Sequence, residues 1–384
     1  MSRWPDKYVI GLTGNIATGK SIVRKMLEHL GAFGIDADRL AQQAVAPGAP
    51  AYRPVIETFG KWIVGPDGKI NRPSLAKIVF NDPVALARLE EITHPVVHQA
   101  IDVLLRRNQQ RVAVIEAIKL LEAGYGEEVD AVWVADAPVE VRLKRLVAKR
   151  GLSEAAARLY IEAQPPQEQK LARADVVIDN SGSLENTWKQ VQAAWAGLPI
   201  APQPEAITTV ALEPQAAART AVAEVRVRRG TPNNAVEIAK ALSAFKRVQV
   251  TKADVMLSFG EKAYFMAQAG SQIVGLAGML VENLVTRVDE FYVSTALPAA
   301  PVVQALTKAI EENSRPLEAE IAFLFIGVHA PAAVTEALAA QAYELRALDD
   351  IKVPAWREAA LESHPPDTQI FAKKLRAERV LKPL

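Results

Sequence analysis

The chain has 384 residues, half of them hydrophobic, which is enough for two or more domains, each with a core of its own. Its 45 basic and 44 acidic residues nearly cancel, and this balance offers no electrostatic case for binding nucleic acid or an anionic membrane. Cysteine is absent, which excludes disulfides, thiolate metal ligands and a cysteine nucleophile. No stretch approaches the roughly 20 apolar residues of a membrane span, and MSRWPDKYVIG lacks the apolar region of a signal peptide. We therefore expect a cytoplasmic protein.

A phosphate-binding loop is predicted near the start of the chain. The β-branched run at 8–13 leads into Gly14-Asn15-Ile16-Ala17-Thr18-Gly19-Lys20-Ser21, and a helical pattern over 20–30 follows. This is the G-x-x-x-x-G-K-[ST] pattern in the strand-to-helix context that it requires. Glycines let the loop amides point at phosphate oxygens, and a helix N-terminus adds a positive dipole end. Lys20 would bridge the β- and γ-phosphates, and Ser21 would ligate Mg²⁺.

Short strands alternate with helices over the first half of the chain, which predicts an α/β fold with a parallel sheet covered on both faces. Strands are predicted at 8–13, 32–36, 112–118, 130–135 and 175–179. Helices are predicted at 20–30, 38–46, 83–93, 95–107, 138–149, 153–163 and 184–195. The span 47–110 interrupts the alternation as a helical insert, and a lid is predicted at about 140–160.

A change of composition predicts a second domain. Residues 197–221 are rich in Ala and Pro, as in a semi-rigid linker, so we expect domains at 1–196 and 222–384. In the second domain, an α+β fold, strands are predicted at 222–230, 262–270, 271–283, 287–294, 318–328 and 368–375. Helices are predicted at 233–245, 301–314 and 332–346.

Two acidic residues follow the second predicted strand. The carboxyl ends of parallel strands face the ligand crevice, so Asp36 and Asp38 could both reach the phosphate loop, one as a proton acceptor and the other beside Mg²⁺. Helix capping explains Asp36 equally well, and the pattern leaves both interpretations open.

Basic residues and histidines suggest two further sites, each weakly. Arg142, Arg145 and Arg150 could clamp phosphates from a mobile lid, although a solvated basic helix face is the commoner structure and the pattern alone favours it. His94 and His98 have the spacing of zinc ligands, but Pro95 breaks the H-E-x-x-H pattern and no third ligand is in sight.

The first half of the chain resembles the dephospho-CoA kinase family. Six stretches occur in the order that the family has them, within about residues 7–195: IGLTGNIATGKS, LGAFGIDADRLA, APGAPAYRPVIETFG, GKINRPSLAKIVF, LEEITHPVV and EAQPPQEQKLARADVVIDNSGS. The resemblance implies a nucleoside-monophosphate-kinase-like fold and transfer of the ATP γ-phosphate to the ribose 3′-hydroxyl of dephospho-CoA, with Mg²⁺. The alternatives are another small-molecule P-loop kinase and a nucleotide-dependent regulatory module.

The resemblance also implies roles for individual residues. Asp38 matches the family's base, and Arg145 and Arg150 match its phosphate-facing lid arginines, with Lys20 as the fourth catalytic residue. Asp36, Arg72, Thr93 and His94 fall on the dephospho-CoA side, and Asp179 and Asn180 fall near the adenine of ATP.

The chain departs from the family in two places. Asn15 and Ala17 replace glycines of the usual loop. We expect asparagine to tolerate a left-handed position, and alanine to restrict the backbone conformations that the loop can adopt. IKLLEAG at 118–124 replaces the usual PLLFEAG, and we expect the new Lys119 to point to solvent.

The second half resembles the GNAT acyltransferase fold over about residues 222–375, through KAYFMAQAGSQIVGLAGMLVEN and VTRVDEFYVS. The loop that holds the acetyl-CoA pyrophosphate in that family is TALPAAPVVQALTKAI here, with no glycine or arginine. We therefore expect a degenerate domain that binds CoA or acyl-CoA or mediates dimers, and favour an active N-acetyltransferase less. The sequence leaves homo-oligomerisation open.

Overall fold

The computed structural model describes residues 3–200, 225–282 and 284–376, and it divides into two compact units. Among the described residues, the first unit comprises 3–183 and 190–200, and the second comprises 184–189, 225–282 and 284–376. The predicted linker lies outside the described residues from 201 onward. No helix in the described ranges is long and apolar enough to cross a membrane.

A five-stranded parallel sheet forms the centre of the first unit. Its strands are β1 (Tyr8–Thr13), β2 (Phe33–Asp36), β3 (Val112–Glu116), β4 (Ala131–Asp136) and β5 (Val176–Asp179), in the order β2-β3-β1-β4-β5. The three inner strands are buried almost throughout, as expected where helices cover both faces of a sheet. The expected parallel α/β fold is confirmed, and all five strands fall within two residues of their predicted ends.

In the described part of the chain, eight α-helices connect these strands: α1 (Lys20–His29), α2 (Ala37–Ala44), α3 (Tyr52–Phe59), α4 (Arg72–Asn81), α5 (Pro83–Arg107), α6 (Val139–Arg150), α7 (Glu154–Glu162) and α8 (Gln167–Leu171). A further helix, α9 (Leu184–Ala196), follows β5. The prediction of two helices at 83–93 and 95–107 is wrong, because α5 runs through Pro95. Proline removes one helical hydrogen bond. The helix continues because Val97, Ile101 and Leu104, in the turns that follow Pro95, are buried.

The predicted insert at 47–110 contains α3 to α5 and an antiparallel bridge between Val64 and Ile70. It has a small core of its own, formed by Val55, Ile63, Ile70, Leu75 and Val79.

A seven-stranded mixed sheet forms the centre of the second unit. Its strands are β6 (Val225–Arg229), β7 (Ala263–Ala269), β8 (Gln272–Glu282), β9 (Val285–Val293), β10 (Ile321–Gly327), β11 (Glu344–Arg346) and β12 (Thr368–Lys374), in the order β11-β12-β10-β9-β8-β7-β6. Among these pairs only β9 and β10 are parallel. The helices are α10 (Ala235–Lys246), α11 (Lys252–Ser258), α12 (Ala299–Ser314), α13 (Ala332–Ala340) and α14 (Pro354–Ser363).

The prediction of a helix over 332–346 is wrong in its last third. The helix α13 ends at Ala340, Ala342 adopts a left-handed φ of 61°, and the chain returns to the sheet as β11. The apolar face of α13 is buried through Val334, Ala337 and Leu338. Helices α11 and α14 were not predicted.

Candidate active site

The loop between β1 and α1 has three residues in the positive-φ region. They are Gly14 at 144°, Ala17 at 62° and Gly19 at 94°. Of the two residues that replace glycines, Ala17 and not Asn15 takes a left-handed position. An alanine there costs about 1–2 kcal/mol relative to an ordinary backbone, so the rest of the structure must hold the loop in shape.

The two glycines are also required for space. A Cβ on Gly14 would lie 2.4 Å from the carbonyl oxygen of Ala135, and one on Gly19 would lie 1.9 Å from Nδ2 of Asn180. Asn180 is fully buried, and its Nδ2 donates to the carbonyl of Thr18 at 2.8 Å. The structure thus brings Asn180, predicted beside adenine, against the phosphate loop.

Two glutamines bind the first amides of the loop. Oε1 of Gln167 accepts from the N–H of Asn15 at 2.9 Å, and Oε1 of Gln164 accepts from the N–H of Ile16 at 2.7 Å. Nδ2 of Asn15 in turn donates to the carbonyl of Pro165 at 2.8 Å. Sequence reasoning missed both glutamines, although they lie in the EAQPPQEQK stretch that carries the family resemblance.

Two arginines of α6 bind carbonyls of the same loop. Nε of Arg142 donates to the carbonyl of Ile16 at 2.9 Å, and Nη1 of Arg145 donates to that of Ala17 at 3.1 Å. The solvated basic face that the pattern favoured is therefore wrong for Arg142, which is only 3% exposed. Burial lowers the pKa of both guanidinium groups. The side chain of Arg150, at the end of α6, lies outside the described residues.

Lys20 is buried at the start of α1, and its Nζ donates to the carbonyl of Asn15 at 3.3 Å. Burial lowers the pKa of this ammonium, while the carboxylates of Glu116 and Asp38 oppose the shift. A buried cation beside two carboxylates is therefore present at the mouth of the loop.

Ser21 forms a hydrogen bond that the sequence did not predict. Its Oγ donates to Oε1 of Glu116 at 2.7 Å, and Oε2 of Glu116 accepts from Nε of Arg24 at 2.6 Å. Glu116 is the last residue of β3 and stands opposite Asp36 in the register of β2 and β3. A single glutamate at the end of the apolar run 112–118 was the signal available in the sequence.

The two aspartates after β2 have different environments. Asp36 caps α2 by accepting from the N–H of Arg39 at 2.9 Å, as the capping interpretation expected. Asp38 lies in the first turn of α2 and accepts from the N–H of Ile118 at 3.1 Å. Burial raises the pKa of Asp38, although the bond from Ile118 and the charge of Lys20 oppose the shift.

Another buried cation lies at the same edge of the sheet. Lys170, which is 2% exposed, donates to the carbonyl of Ile118, as does Oγ1 of Thr13 at 3.1 Å. The peptide groups around Ile118 are thus fixed from both sides. Sequence reasoning missed Lys170.

The residues predicted on the acceptor side lie on the insert. Arg72 starts α4, where its Nη1 donates to Oε1 of Gln42 at 2.8 Å. Oγ1 of Thr93 donates to the carbonyl of Leu89 at 2.8 Å, and burial lowers the pKa of His94. The hydrogen bonds of Arg72 and Thr93 both go to partners outside the phosphate loop.

Two further predicted positions lie at the edges of the site. Asp179 ends β5, is exposed, and accepts from the N–H of Ser181 at 2.8 Å. Lys119 pairs with Glu90 at 2.7 Å and is half exposed, so it forms an ion pair in addition to facing solvent.

Comparison with known proteins gives the first unit a family. A dephospho-CoA kinase profile matches residues 8–186. The dephospho-CoA kinase of Moorella thermoacetica is 48% identical over 195 residues, which cover 50% of this chain and 92% of that protein. That of Geobacter sulfurreducens is 46% identical over 191 residues, covering 49% and 97%.

Two solved structures each resemble part of this chain. The dephospho-CoA kinase from Campylobacter jejuni is 28% identical and covers 50% of this chain and 96% of its own, with a TM-score of 0.38. An acetyltransferase from Streptococcus agalactiae is 11% identical and covers 39% and 98%, with a TM-score of 0.31. From the identity to its curated relatives and their nearly complete coverage, the chain belongs to the dephospho-CoA kinase family.

Proposed function

We propose that the first unit transfers the γ-phosphate of ATP to the ribose 3′-hydroxyl of dephospho-CoA, with Asp38 as the base. The 3′-oxygen forms a bond to the γ-phosphorus, the bond from that phosphorus to the β–γ bridging oxygen breaks, and ADP leaves. Asp38 takes the hydroxyl proton. The observation that supports this assignment is that the half-buried carboxylate of Asp38 and the buried ammonium of Lys20 have opposite charges, each of which perturbs the pKa of the other.

The loop and its neighbours would bind ATP. Gly14 to Ser21 would enclose the phosphates, and Asp179 and Asn180 would lie towards adenine. Arg145 uses three N–H bonds on the carbonyls of Ala17, Thr18 and Asn180 among the described residues. Since a guanidinium has five N–H groups, donors remain for a phosphate oxygen. Arg150 is proposed as the second such arginine.

Mg²⁺ fits the residues that are present. Ser21 uses its hydroxyl proton on Glu116, so the lone pairs of Oγ can ligate a cation, and Mg²⁺ prefers such oxygen ligands. The described residues hold no group of three or more His, Cys, Asp or Glu arranged for a metal, which suits an ion that takes most of its ligands from phosphates and water. When bound, the ion offsets the negative charge of the phosphates.

The acceptor would bind against the insert. We propose that Asp36, Arg72, Thr93 and His94 face dephospho-CoA. The exposed guanidinium of Arg72 suits an anionic group of the acceptor. Burial lowers the pKa of His94, which favours its neutral imidazole.

A coupled assay of ADP release tests the proposal with dephospho-CoA, free ribonucleosides and other small alcohols as acceptors. We expect release with dephospho-CoA alone, and none with the Lys20→Ala variant. Turnover with a different alcohol alone would indicate another small-molecule kinase. ATP binding without turnover on any acceptor would favour a regulatory module.

One observation supports a second function, in the second unit. The parallel pairing of β9 with β10 covers only Val285–Val288 and Ile321–Leu324, although β9 continues to Val293 and β10 to Gly327. Strands that separate in this way leave backbone groups able to pair with an extended ligand. We propose that an amide-containing chain, such as the pantetheine arm of CoA, binds there.

The N-terminus of α12 offers few backbone N–H donors to the phosphate end of such a ligand. Its N-cap is Pro298, and Pro301 in its first turn has no N–H, so two donors are missing. Hydrogen exchange of the full chain with and without acetyl-CoA tests the proposal, because its peptides separate the two units. Protection of residues 289–293 is expected, and protection confined to the first unit would contradict it.

A further inference from the structure

A series of hydrogen-bonded polar and charged side chains extends from Ser21, at the end of the phosphate loop, along α1. Ser21 donates to Oε1 of Glu116, and Nε of Arg24 donates to Oε2 at 2.6 Å. Nη1 of Arg24 also donates to Oε1 of Glu28 at 2.5 Å, and Nζ of Lys25 donates to Oε2 of Glu28 at 2.9 Å. The side chains of Arg24 and Glu116 are 4% and 5% exposed.

Glu28, at the far end of this series of side chains, occupies the space that a side chain at position 34 would otherwise fill. A Cβ on Gly34, in β2, would lie 1.9 Å from Oε1 of Glu28. Because the φ of Gly34 is not in the left-handed region, the glycine is needed for space and not for conformation. Arg24 therefore has a fixed carboxylate at each end of its guanidinium, and its orientation is determined by both.

This arrangement determines the direction of the Ser21 hydroxyl. A carboxylate paired with a guanidinium accepts hydrogen bonds and has none to donate. The Ser21 hydroxyl must therefore donate its one proton to Glu116 and direct its lone pairs elsewhere. A buried ion pair adds little stability over a well-packed apolar pair, because desolvating both charges is costly. Orientation of a neighbouring group is a better account of why the charges are buried here.

We infer that Arg24 is a positioning residue for the cation of the nucleotide site: by holding Glu116, it fixes the Ser21 hydroxyl as an oxygen ligand for Mg²⁺. The inference rests on the proposed function, in which Ser21 ligates that ion. Arg24 touches neither nucleotide nor acceptor in this proposal. Outer partners that orient a metal ligand typically change metal affinity by about 10–100-fold when they are removed.

The alternative role for Arg24 is to tie α1 to β3 with no effect on the cation. Thermal stability would fall in either case, so it does not distinguish the two roles. Affinity for the metal does, when it is measured at a fixed occupancy of nucleotide.

The test is a titration of the full chain with Mn²⁺ in the presence of saturating ADP, in which electron paramagnetic resonance measures the bound Mn²⁺. Arg24→Gln should raise the Mn²⁺ dissociation constant about tenfold, while ADP binding in EDTA stays unchanged. Arg24→Lys keeps the charge but places it on a single donor nitrogen, and should give an intermediate value. Lys25→Met is the matched control, because it removes a buried charge whose hydrogen bond goes to Glu28 and not to Glu116, and it should change the Mn²⁺ dissociation constant far less than Arg24→Gln does.

Equal Mn²⁺ affinity in Arg24→Gln, Lys25→Met and the wild type would overturn the inference. If Arg24→Gln does not fold, Arg24→Lys against Lys25→Met decides in the same way. The measurement needs no acceptor, so its outcome is independent of whether dephospho-CoA is the substrate. A chain that bound Mn²⁺ and ADP as expected but transferred no phosphate would contradict the proposed function alone.

Discussion

The carboxylate of Asp38 accepts a hydrogen bond at 3.1 Å from the backbone N–H of Ile118, which ties the first turn of α2 to the segment after β3. The bond uses Oδ2, so the other oxygen is available to a substrate hydroxyl. Since the carbonyl of Ile118 is itself held by Thr13 and Lys170, this contact fixes the orientation of Asp38.

Asp38→Asn should lower kcat by about 10²–10⁴-fold and leave ATP affinity nearly unchanged. The amide keeps the shape of the side chain but cannot take a proton. Steady-state kinetics with dephospho-CoA, together with titration of ATP, measure both quantities. Near-normal turnover would remove the assignment of Asp38 as the base.

The pH dependence of kcat/KM gives a second prediction. A base must be ionised, and burial raises the pKa of Asp38 above its ordinary 3.8, so activity should fall with decreasing pH before an ordinary aspartate would protonate. The charge of Asp36 contributes to that rise. Asp36→Asn removes this charge while keeping a residue type that caps helices, so it should move the acid limb to lower pH. An unmoved limb would show that another group sets it.

Two glycines with similar backbone angles should respond very differently to alanine. Gly19 has a φ of 94° and Gly31 a φ of 107°, but a Cβ meets Asn180 at Gly19 and nothing within 4 Å at Gly31. Gly31→Ala should cost about 1–2 kcal/mol of stability, from the left-handed backbone alone. Gly19→Ala should have the same backbone cost, and its Cβ should also displace the side chain of Asn180 and so abolish ATP binding. Thermal unfolding and ATP titration of both variants separate the two effects.

Much of the first unit could be predicted because its signals are local. The parallel strands are short β-branched runs, and the phosphate loop is a contiguous motif. The partners of that loop were not predictable in the same way. Gln164 lies 148 residues from Ile16 and Glu116 lies 95 from Ser21, so only the folded sheet shows which side chains meet.

The failures in secondary structure have a related cause. Pro95 ends a helix by local preference, but the buried apolar face of α5 overrides it. Ala342 is a good helix former by itself, and its left-handed conformation reflects the return of the chain to pair with β12. Local propensity could not predict either outcome, because long-range packing determines both.

Arg142→Met should destabilise the first unit and weaken ATP binding, because it removes the charged donor that holds the carbonyl of Ile16. Loss of a hydrogen bond from a charged group costs about 1.5–3 kcal/mol. Lys144→Met, on the exposed side of the same helix, is the matched control and should be neutral. Thermal unfolding and the KM for ATP measure both effects. Equal behaviour of the two variants would restore the solvated-face interpretation.

Glu290, in the second unit, should make stability depend on pH. Its carboxylate accepts from the hydroxyl of Tyr264 at 2.9 Å and pairs with Lys246 and with Lys262. Burial raises its pKa, but the two lysines and the tyrosine together lower it below the ordinary 4.5. A carboxylate with a lowered pKa contributes stability fully above the unfolded value and loses it as pH falls through the folded one. The stabilisation should therefore be complete at pH 7 and decline below about pH 4.5.

Glu290→Gln should lower the free energy of opening of β7 to β9 by about 3 kcal/mol at pH 7, because it leaves two partly buried lysines without their counter-charge. Native-state hydrogen exchange of amides in those strands reports on this unit separately. Asp289→Asn, which affects a more exposed partner of Lys262, is the control and should cost less than about 1 kcal/mol. The difference between wild type and Glu290→Gln should shrink as pH falls towards 4, since the wild-type carboxylate is then losing its charge. A difference independent of pH would mean that Glu290 stabilises the unit by packing and not by charge.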